Sequence, residues 1–248
     1  MVVKSQIKFI KSLQQKKYRS RHKMFVAEGI KTVRELIMSK YKEHAIYCTD
    51  PNIFKDLALE SRLITKSELN QMSGFKNPNT VLGVFHIPEA GVVDFDDWIV
   101  ALDGINDPGN FGTIIRLCDW FGVKNILCSK DTVDCYNPKV LQASMGSIAR
   151  VNITYTNLKD SLSKSGLAVY GAFMNGDVVY ETELPKAGIL VMGNEANGIS
   201  EEIASILEFK VTIPQFGVKT TESLNVGTAT AIMLNEIRRS WCTGNSKQ

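Results

Sequence analysis

The chain has 248 residues, of which 44% are hydrophobic and 22% are charged, and its formal net charge is +3. This composition is ordinary for a globular protein, and the length allows one large domain or two small ones. No apolar run approaches the roughly 20 residues that span a bilayer, and residues 1–4 turn polar without an apolar signal-peptide core. We therefore expect a cytoplasmic protein with no membrane partner.

The five cysteines are scattered along the chain, with no C-x-x-C pair and no histidine at metal-ligand spacing. Zinc sites need clustered ligands. We therefore expect no metal site.

The charges are unevenly distributed. Residues 1–40 hold eleven lysines and arginines against two acids, Glu28 and Glu35, so that the rest of the chain is mildly acidic. Such an asymmetry favours a contact between the N-terminal arm and a polyanion such as nucleic acid. The alternative is an amphipathic helix whose basic side is merely solvated.

The first ninety residues predict a small mixed α/β unit. Apolar residues at helical spacing predict helices over residues 5–18 and 29–39, and Lys66–Met72 is a third candidate helix. Ala45–Cys48 and Val81–Ile87 are predicted strands. We assign this domain to residues 1–90.

Residues 88–97 break the periodicity with a proline, a glycine and three acids, which predicts a linker. Beyond it, short apolar strands alternate with helices. This pattern favours a parallel sheet with helices on both faces, and we assign this second domain to residues 97–242. The predicted strands are Trp98–Leu102, Asn125–Cys128, Ala168–Phe173, Gly188–Met192 and Val211–Pro214, and the predicted helices are Phe111–Phe121, Pro138–Met145, Ser200–Leu207 and Ser223–Arg239.

Because ligands bind at the carboxyl ends of strands in such sheets, the segments that follow the strands are the candidate sites. The first segment, residues 102–116, contains Asp-Pro-Gly-Asn-Phe-Gly, which consists of turn residues. Asn110 is predicted to cap the helix that follows. Arg116 is either a solvated surface residue or a ligand for an anionic group, since its planar fork suits phosphate.

The second segment, residues 190–200, resembles a P-loop but has Ile199 where the phosphate-binding lysine belongs, which excludes that class of NTPase. No G-x-G-x-x-G follows a strand, which speaks against a nicotinamide-dependent oxidoreductase on a Rossmann sheet. A glycine-rich loop without the lysine suits a nucleoside or an adenosyl group. Glu195 is either a polar anchor or an acid in the first turn of a helix.

The third segment, residues 211–231, passes from a strand ending in Ile-Pro through a polar loop to Ser-Leu-Asn at the start of a helix. Ser223 is a natural helix cap. Asn225, in the predicted first turn, is a poor helix former and suggests another role. The small residues that follow, from Gly227 to Ala231, would let this helix approach another backbone closely.

In this order, the three segments resemble the motifs of the SpoU family within the SPOUT class of RNA methyltransferases. The family pattern has Asp-Pro-x-Asn-x-Gly with a following arginine, then Gly-x-Glu-x-x-Gly, then Ile-Pro and Ser-Leu-Asn, and it covers about residues 98–240. Phe-Val-Ala-Glu-Gly at residues 25–29 and Lys-Lys-Tyr-Arg at residues 16–19 resemble the small substrate-binding domain of many ribosomal-RNA members.

The resemblance implies a deep trefoil knot, a homodimer and S-adenosylmethionine as cofactor. It implies that Arg116 is the catalytic arginine, acting on a phosphate next to the ribose 2′-hydroxyl, and that other polar residues orient the ribose. The implied catalytic residues are Arg116, Asn110, Glu195, Ser223 and Asn225, the cofactor-binding residues are Gly193, Ile213, Leu224, Met192, Asn194 and Gly198, and the RNA-binding residues are Lys16, Lys17, Arg19 and Arg21.

The reaction so implied is 2′-O-methylation of RNA ribose, with 23S-type ribosomal RNA favoured over transfer RNA as the substrate. Transfer RNA stays open as an alternative. A ribosome-assembly factor that binds RNA without catalysis is a second alternative, which the presence of all five polar motif residues disfavours.

Overall fold

The computed structural model describes residues 2–39, 41–57, 59–217 and 223–244, which form two compact units. The first unit comprises Met1–Glu89 with Asp134–Arg150, and the second comprises Ala90–Val133 with Val151–Gln248. These units differ from the predicted domains in residues 134–150, which pack with the first unit although they lie within the second predicted domain. The functional division of the chain at residues 90–97 stays a prediction.

The helices and strands give the frame for the sites described below. In chain order they are α1 (Lys4–Ser12), α2 (Lys16–His22), β1 (Met24–Glu28), α3 (Ile30–Ile37), β2 (Glu43–Cys48), β3 (Ser61–Leu63), α4 (Lys66–Met72), β4 (Val81–His86), β5 (Ile99–Asp103), α5 (Pro108–Trp120), β6 (Asn125–Cys128), α6 (Pro138–Ser144), β7 (Asn152–Tyr155), α7 (Leu158–Ser163), β8 (Val169–Val178), β9 (Ile189–Gly193), α8 (Glu201–Ala204), β10 (Phe209–Thr212) and α9 (Val226–Gly244).

The first unit contains a four-stranded mixed sheet in the order β1-β4-β2-β3. Strands β1 and β2 run antiparallel to β4, and β3 runs parallel to β2. One face of this sheet packs against α1 and α4, where Leu13 and Met72 are fully buried beside Leu82 and Val84. The helix α4 begins with a capping box in which Thr65 and Glu68 exchange hydrogen bonds, and this local signal places it where the sequence predicts it.

The single helix predicted over residues 5–18 is wrong, because the chain breaks there into α1 and α2. The backbone carbonyls of Leu13 and Gln14 accept hydrogen bonds from Nη1 of Arg19, at 2.9 and 2.8 Å. These carbonyls are therefore turned away from the helix ladder. The buried arginine replaces one long helix with two short ones.

The second unit contains a six-stranded sheet in the order β10-β8-β9-β5-β6-β7, and every neighbouring pair is parallel. The predicted parallel sheet is therefore confirmed. One face of it packs against α7 and α8 through a cluster that contains Ala101, Val191 and Ile203. The alternate strand residues, such as Leu102 and Leu190, are equally buried, so that the opposite face is covered as well.

Four short elements were not predicted from the sequence: β1, β3, β7 and α7. Strand β7 has only four residues, and none of them is fully buried, so it lacks the apolar run that predicts an internal strand of a parallel sheet. Conversely, the helix predicted over Ser200–Leu207 shrinks to the four residues of α8.

No helix in the described part of the chain is both long and apolar enough to cross a membrane. Among the same residues, no group of three or more histidine, cysteine, aspartate or glutamate side chains is placed to hold a metal ion.

The ion pair between Asp97 and Arg238 ties the segment before β5 to α9. The guanidinium donates to both carboxylate oxygens at 2.8 Å, and its Nε donates to the carbonyl of Phe121 at 2.7 Å. Burial alone would raise the pKa of Asp97, but the hydrogen bonds from Arg238 and from the Trp98 backbone outweigh it and hold the pKa below its usual value.

We predict that Asp97→Asn lowers the free energy of unfolding by about 1 kcal/mol at neutral pH, the scale of a partly exposed charged hydrogen bond. A carboxyl group whose pKa is lowered by folding stabilises the fold when the pH is above the pKa of the unfolded state. This stabilisation is lost as the pH falls through the pKa of the folded state. The difference between wild type and Asp97→Asn should therefore shrink as the pH falls below about 4 and vanish once the pH lies below the depressed pKa of Asp97. Urea unfolding at several pH values measures it, with Asp96→Asn as the matched control, and a difference that does not depend on pH would contradict the prediction.

Candidate functional site

Two polar loops meet because β5 and β9 are neighbours in the sheet. The strands pair in parallel, with Asp103 opposite Gly193 at their carboxyl ends. The chain leaves β5 through residues 104–107 and enters α5, and it leaves β9 through residues 194–200 and enters α8. Ligands bind at this edge of parallel sheets, so that the junction of the two loops is the candidate site.

The loop after β9 is closed by its own backbone. Asn194 and Gly198 exchange two backbone hydrogen bonds of 2.9 Å, and the Asn194 side chain accepts from the backbone of Ala196 and Asn197 at 2.9 and 3.1 Å. A side chain at Gly193 would lie 2.2 Å from the backbone of Gly198. Glycine is therefore required at position 193 by the close return of the loop.

The two loops are joined by side chains. Nδ2 of Asn194 donates to the carbonyl of Gly104 at 2.6 Å. The Glu195 carboxylate accepts from the backbone N–H groups of Asn106 and Asp107, at 3.3 and 3.2 Å, and from Nδ2 of Asn110 at 3.0 Å. The three donors lie at the start of α5, where the helix presents unpaired N–H groups and favours a negative charge.

The suggestion that Glu195 is a first-turn acid of its own helix is wrong, since α8 begins six residues later at Glu201. The alternative from the sequence, a polar anchor, describes its contacts. The residue anchors the loop after β9 to the N-terminus of α5.

Asn110 does not cap α5, contrary to the prediction. The cap is Asp107, whose Oδ1 accepts from the backbone N–H of Asn110 at 2.7 Å. Asn110 lies inside the first turn, and its side chain is thereby free to bridge two others. Its Nδ2 donates to Glu195, and its Oδ1 accepts from Nδ2 of Asn225 at 2.9 Å.

Asn225, rather than Ser223, immediately precedes α9 and caps it. Its Oδ1 accepts from the backbone N–H groups of Gly227 and Thr228, at 2.9 and 3.3 Å. The poor helix propensity of asparagine at this position is thus explained by its capping role. Since Nδ2 of the same side chain reaches Asn110, three polar residues from three separate segments form one hydrogen-bonded chain, Asn225–Asn110–Glu195.

The hydrogen-bonded chain Asn225–Asn110–Glu195 lies along an open depression of about 720 Å³. The depression is lined almost entirely by amides and carboxylates, which offer both donors and acceptors to a polar ligand. Its lining residues are Asn106, Asp107, Asn110, Asn194, Glu195, Ala196, Asn197 and Asn225. Asn106, Asp107 and Asn197 were missed as site residues, although each lies in a loop directly after a buried strand, and that position was the available signal.

Arg116 is exposed on α5 and does not line the depression. It lies six residues beyond Asn110, which is about 9 Å further along the helix axis. It makes no hydrogen bond or ion pair with any residue that the structure describes. Its guanidinium is therefore available to an external anion.

The predicted cofactor residues lie at the ends of β9 and β10 and at the start of α9. The ladder between β8 and β9 ends at the pair of Gly171 with Val191, so that Met192 and Gly193 extend past it. Within the described residues, their backbone has no strand partner on that side and can meet the hydrogen-bonding edge of a flat base. Ile213 is half-buried after β10, whereas Ser223 and Leu224 are exposed. The middle of the predicted polar loop, residues 218–222, lies outside the described residues.

The four predicted RNA-binding residues do not behave alike. Lys16, Lys17 and Arg21 are exposed on α2. Arg19 is 3% exposed, and its Nε and Nη2 donate to Oδ2 of Asp134 at 2.9 and 2.6 Å. Because its remaining nitrogen is bonded to the backbone, Arg19 cannot reach a nucleic acid, and we remove it from the RNA-binding set.

Comparison with known proteins identifies the family. Residues 97–235 match the model of the SpoU rRNA methylase family, and residues 4–83 match an MRM3-like substrate binding domain. The first match covers more than half of the chain. The chain belongs to the SpoU rRNA methylase family.

Individual relatives extend over nearly the whole chain. A 23S rRNA (guanosine(2553)-2'-O)-methyltransferase from Bacillus subtilis (strain 168) is 28% identical over 239 residues, which are 94% of this chain and 95% of that protein. A solved structure from Porphyromonas gingivalis, assigned to the TrmH family of RNA methyltransferases, is 37% identical, with a TM-score of 0.89 over 96% of this chain and 99% of that one. An rRNA methyltransferase from Sinorhizobium meliloti, solved with AdoMet bound, is 28% identical, with a TM-score of 0.84 over 96% of each chain.

Arg19 and Arg21 lie on one short helix and allow a matched comparison. We predict that Arg19→Ala lowers the free energy of unfolding by about 3 kcal/mol, because it leaves Asp134 without its partner in a largely buried position. The same variant, once folded, should bind RNA as wild type does. Arg21→Ala should leave stability unchanged, weaken RNA binding and reduce the slope of log affinity against log salt by about 1.

Chemical denaturation and salt-dependent RNA titrations of both variants test this division. Weaker RNA binding by Arg19→Ala at unchanged stability would return Arg19 to the RNA-binding set.

Proposed function

We propose that the protein transfers a methyl group from S-adenosylmethionine to a ribose 2′-hydroxyl of ribosomal RNA. The observation that carries this proposal is the hydrogen-bonded chain Asn225–Asn110–Glu195 at the carboxyl ends of β5 and β9, in a member of the SpoU rRNA methylase family. All three residues belong to the motifs that the sequence singled out. Their side chains line one depression whose donors and acceptors suit a sugar.

The residues at the ends of β9 and β10 fit the cofactor. The backbone of Gly193 beyond the β8 ladder offers donors and acceptors to an adenine edge, as would that of Ile213 and Leu224. Leu224 is 46% exposed, which leaves an apolar surface for the base. Met192, Asn194 and Gly198 shape the same loop. When bound, S-adenosylmethionine supplies an activated methyl group on a sulfonium, so no metal is needed.

The protein must bring the 2′-oxygen into line and let its proton leave as the new bond forms. Glu195 already accepts from three donors, which hold its carboxylate in one place between the two loops. We therefore assign it, with Asn110 and Asn225, to positioning the ribose. Ser223, exposed next to this chain, is assigned to the ribose as well.

Arg116 is assigned to the phosphate beside the reacting ribose. An arginine side chain stays protonated and cannot act as a base, but its fork can bind two phosphate oxygens. Its exposure and its offset from Asn110 along α5 support a contact to a neighbouring group rather than to the ribose itself. The phosphate so held positions the 2′-hydroxyl, whose proton leaves to water as the oxygen–methyl bond forms and the sulfonium–methyl bond breaks.

The two parts of the chain have separate roles in this proposal. We propose that residues 97–242 form the methyltransferase domain, that residues 1–90 bind the RNA substrate, and that the exposed Lys16, Lys17 and Arg21 hold its backbone. The match of residues 4–83 to a substrate binding domain supports this. The relative that methylates 23S rRNA favours ribosomal over transfer RNA, and such a substrate would place the enzyme in the cytoplasm.

The trefoil knot and the homodimer are also proposals. The fold likeness to the Porphyromonas gingivalis structure supports the knot. For the dimer, the small residues of α9 give less support than the sequence suggested. Gly227 packs against Thr113 of α5 within the same chain, and Thr230 is fully buried. Among the small residues from Gly227 to Ala231, Thr228 is the exposed one that a second copy could contact.

We predict that Arg116→Ala lowers the rate of methyl transfer about 100-fold, the usual effect of removing a donor from a developing charge. Because Arg116 is exposed and unpaired, thermal stability and cofactor binding should not change. Arg116→Lys keeps the charge without the fork and should retain an intermediate rate. Transfer of label from S-adenosylmethionine to ribosomal RNA measures the rate, and full activity of Arg116→Ala, or label on a base, would contradict the proposal.

We predict that Asn110→Ala lowers methyl transfer about tenfold or more, since it breaks the chain on both sides and frees Glu195 and Asn225 to move. Asn197→Ala is the matched control, because Asn197 lines the same depression without a side-chain bond in the chain. It should cost clearly less. Equal losses in the two variants would show that the chain has no special role.

A further inference from the structure

The first unit gathers all the histidines of the protein at one place. The chain has three histidines, and they come from three elements: His22 ends α2, His44 lies in β2 and His86 ends β4. Strand β4 is antiparallel to β1 and β2, so that its C-terminal end lies beside the N-terminal ends of β1 and β2. His44 occupies the point where the register between β2 and β4 shifts.

Phe9 of α1 lies at the centre of these rings. Its ring centroid is 5.1 Å from that of His22 and 6.4 Å from that of His44, both in edge-to-face contact. His44 and His86 are 5.7 Å apart. Tyr18 stacks on His22 at 6.5 Å, with only 15° between the ring planes. These five rings, which we call the histidine cluster, form a continuous aromatic surface.

The histidine cluster packs against the core on one side and is exposed to solvent on the other. Phe9 and Tyr18 pack against the core under α1, whereas His22 and His44 are exposed. Among the described residues the three histidines do not form a metal-binding group. The two exposed imidazoles lie in ring contact with the half-buried Phe9 and Tyr18, so that flat ring surfaces are accessible beside one another.

The charge around the cluster favours a polyanion. Residues 1–27 contain no aspartate or glutamate, and Lys42 and Arg62 add positive charge beside β2. The exposed acid nearest along β2 is Glu43. The exposed basic residues of this N-terminal stretch are Lys4, Lys8, Lys11, Lys16, Lys17, Arg21 and Lys23.

We infer that the histidine cluster is a stacking surface for unpaired bases of the RNA substrate. The inference rests on the proposed function, because it takes RNA as the ligand. Proteins that read unpaired RNA stack its bases on Phe, Tyr and His rings, and a basic groove beside such rings tracks the backbone. In a fully paired RNA helix the bases stack on one another, so that none is available to stack on these rings.

The electrostatics of His44 agree with stacking. Although His44 is exposed, partial desolvation of its imidazole, followed by the nearby His86 and Arg62, lowers the pKa of the ring. The ring is therefore mostly neutral at pH 7. A neutral ring does not bind phosphate as an ion pair. In this arrangement the lysines bind the phosphates and the rings stack on the bases.

The test compares two RNAs of equal length with the full chain: an unstructured single strand and a fully paired hairpin. Replacing both exposed rings, His22→Ala with His44→Ala, should weaken binding of the single strand about tenfold, the loss expected for one stacked base. Hairpin affinity should change less than about twofold. His22→Phe with His44→Phe keeps the rings and should restore single-strand binding. Ser67→Ala with Asn70→Ala, exposed on α4, is the matched control.

Unchanged single-strand affinity in the double alanine variant would overturn the inference. So would an equal loss for both RNAs, or a loss that phenylalanine does not restore, since either result would indicate charge or shape instead of stacking. Failure of wild type to bind either RNA would overturn it too and would leave the surface to a protein partner. Methyl transfer by wild type is measured in parallel. Its absence with intact single-strand stacking would count against the proposed function alone.

Discussion

The parallel pairing of β5 with β9 determines where the polar groups of the site lie. The two strands are in register from Ile99 opposite Ile189 to Asp103 opposite Gly193, so they end at the same level and release their loops side by side. A shift of one residue would turn every side chain to the other face and would separate the donors at the start of α5 from the Glu195 carboxylate. Asp103 reinforces the arrangement, because its Oδ2 accepts from the backbone of Ser200 at 2.7 Å.

Given this register, the Glu195 carboxylate meets two backbone N–H groups just before α5. Backbone N–H groups at a helix N-terminus suit an anion, and the Asn110 amide adds a third donor. A carboxylate so occupied is a scaffold. It holds Asn110 in the one orientation that presents the amide oxygen to Asn225, and it thereby links the starts of α5 and α9.

Much of the fold could be predicted from sequence because its signals are local. The strand Asn125–Cys128, an apolar run, and the candidate helix Lys66–Met72 were predicted with their observed bounds, and the structure shows that a local capping box begins the helix. The parallel sheet followed from the alternation of such runs with helices. The three motif segments could be placed at strand ends for the same reason.

Some failures depend on contacts distant in sequence, and others on competition between neighbouring polar residues. Arg19 appeared to be one of several exposed basic residues, yet its partner Asp134 is 115 positions away. The same guanidinium also binds the backbone carbonyls of Leu13 and Gln14, where the predicted helix over residues 5–18 breaks. The caps of α5 and α9 were misplaced by three and two residues, because Asp107 competes with Asn110 for one role and Asn225 with Ser223 for the other. The histidine cluster draws on four elements spread over residues 9–86, so that no spacing rule could find it.

The central claim is that this protein methylates ribose in ribosomal RNA. The most direct measurement is a map of 2′-O-methylation across ribosomal and transfer RNA from cells with and without the gene. The predicted result is the loss of ribose methylation at a position in the large-subunit ribosomal RNA, restored by the wild-type gene and not by Arg116→Ala. An unchanged ribosomal map, with or without a loss in transfer RNA, would contradict the claim.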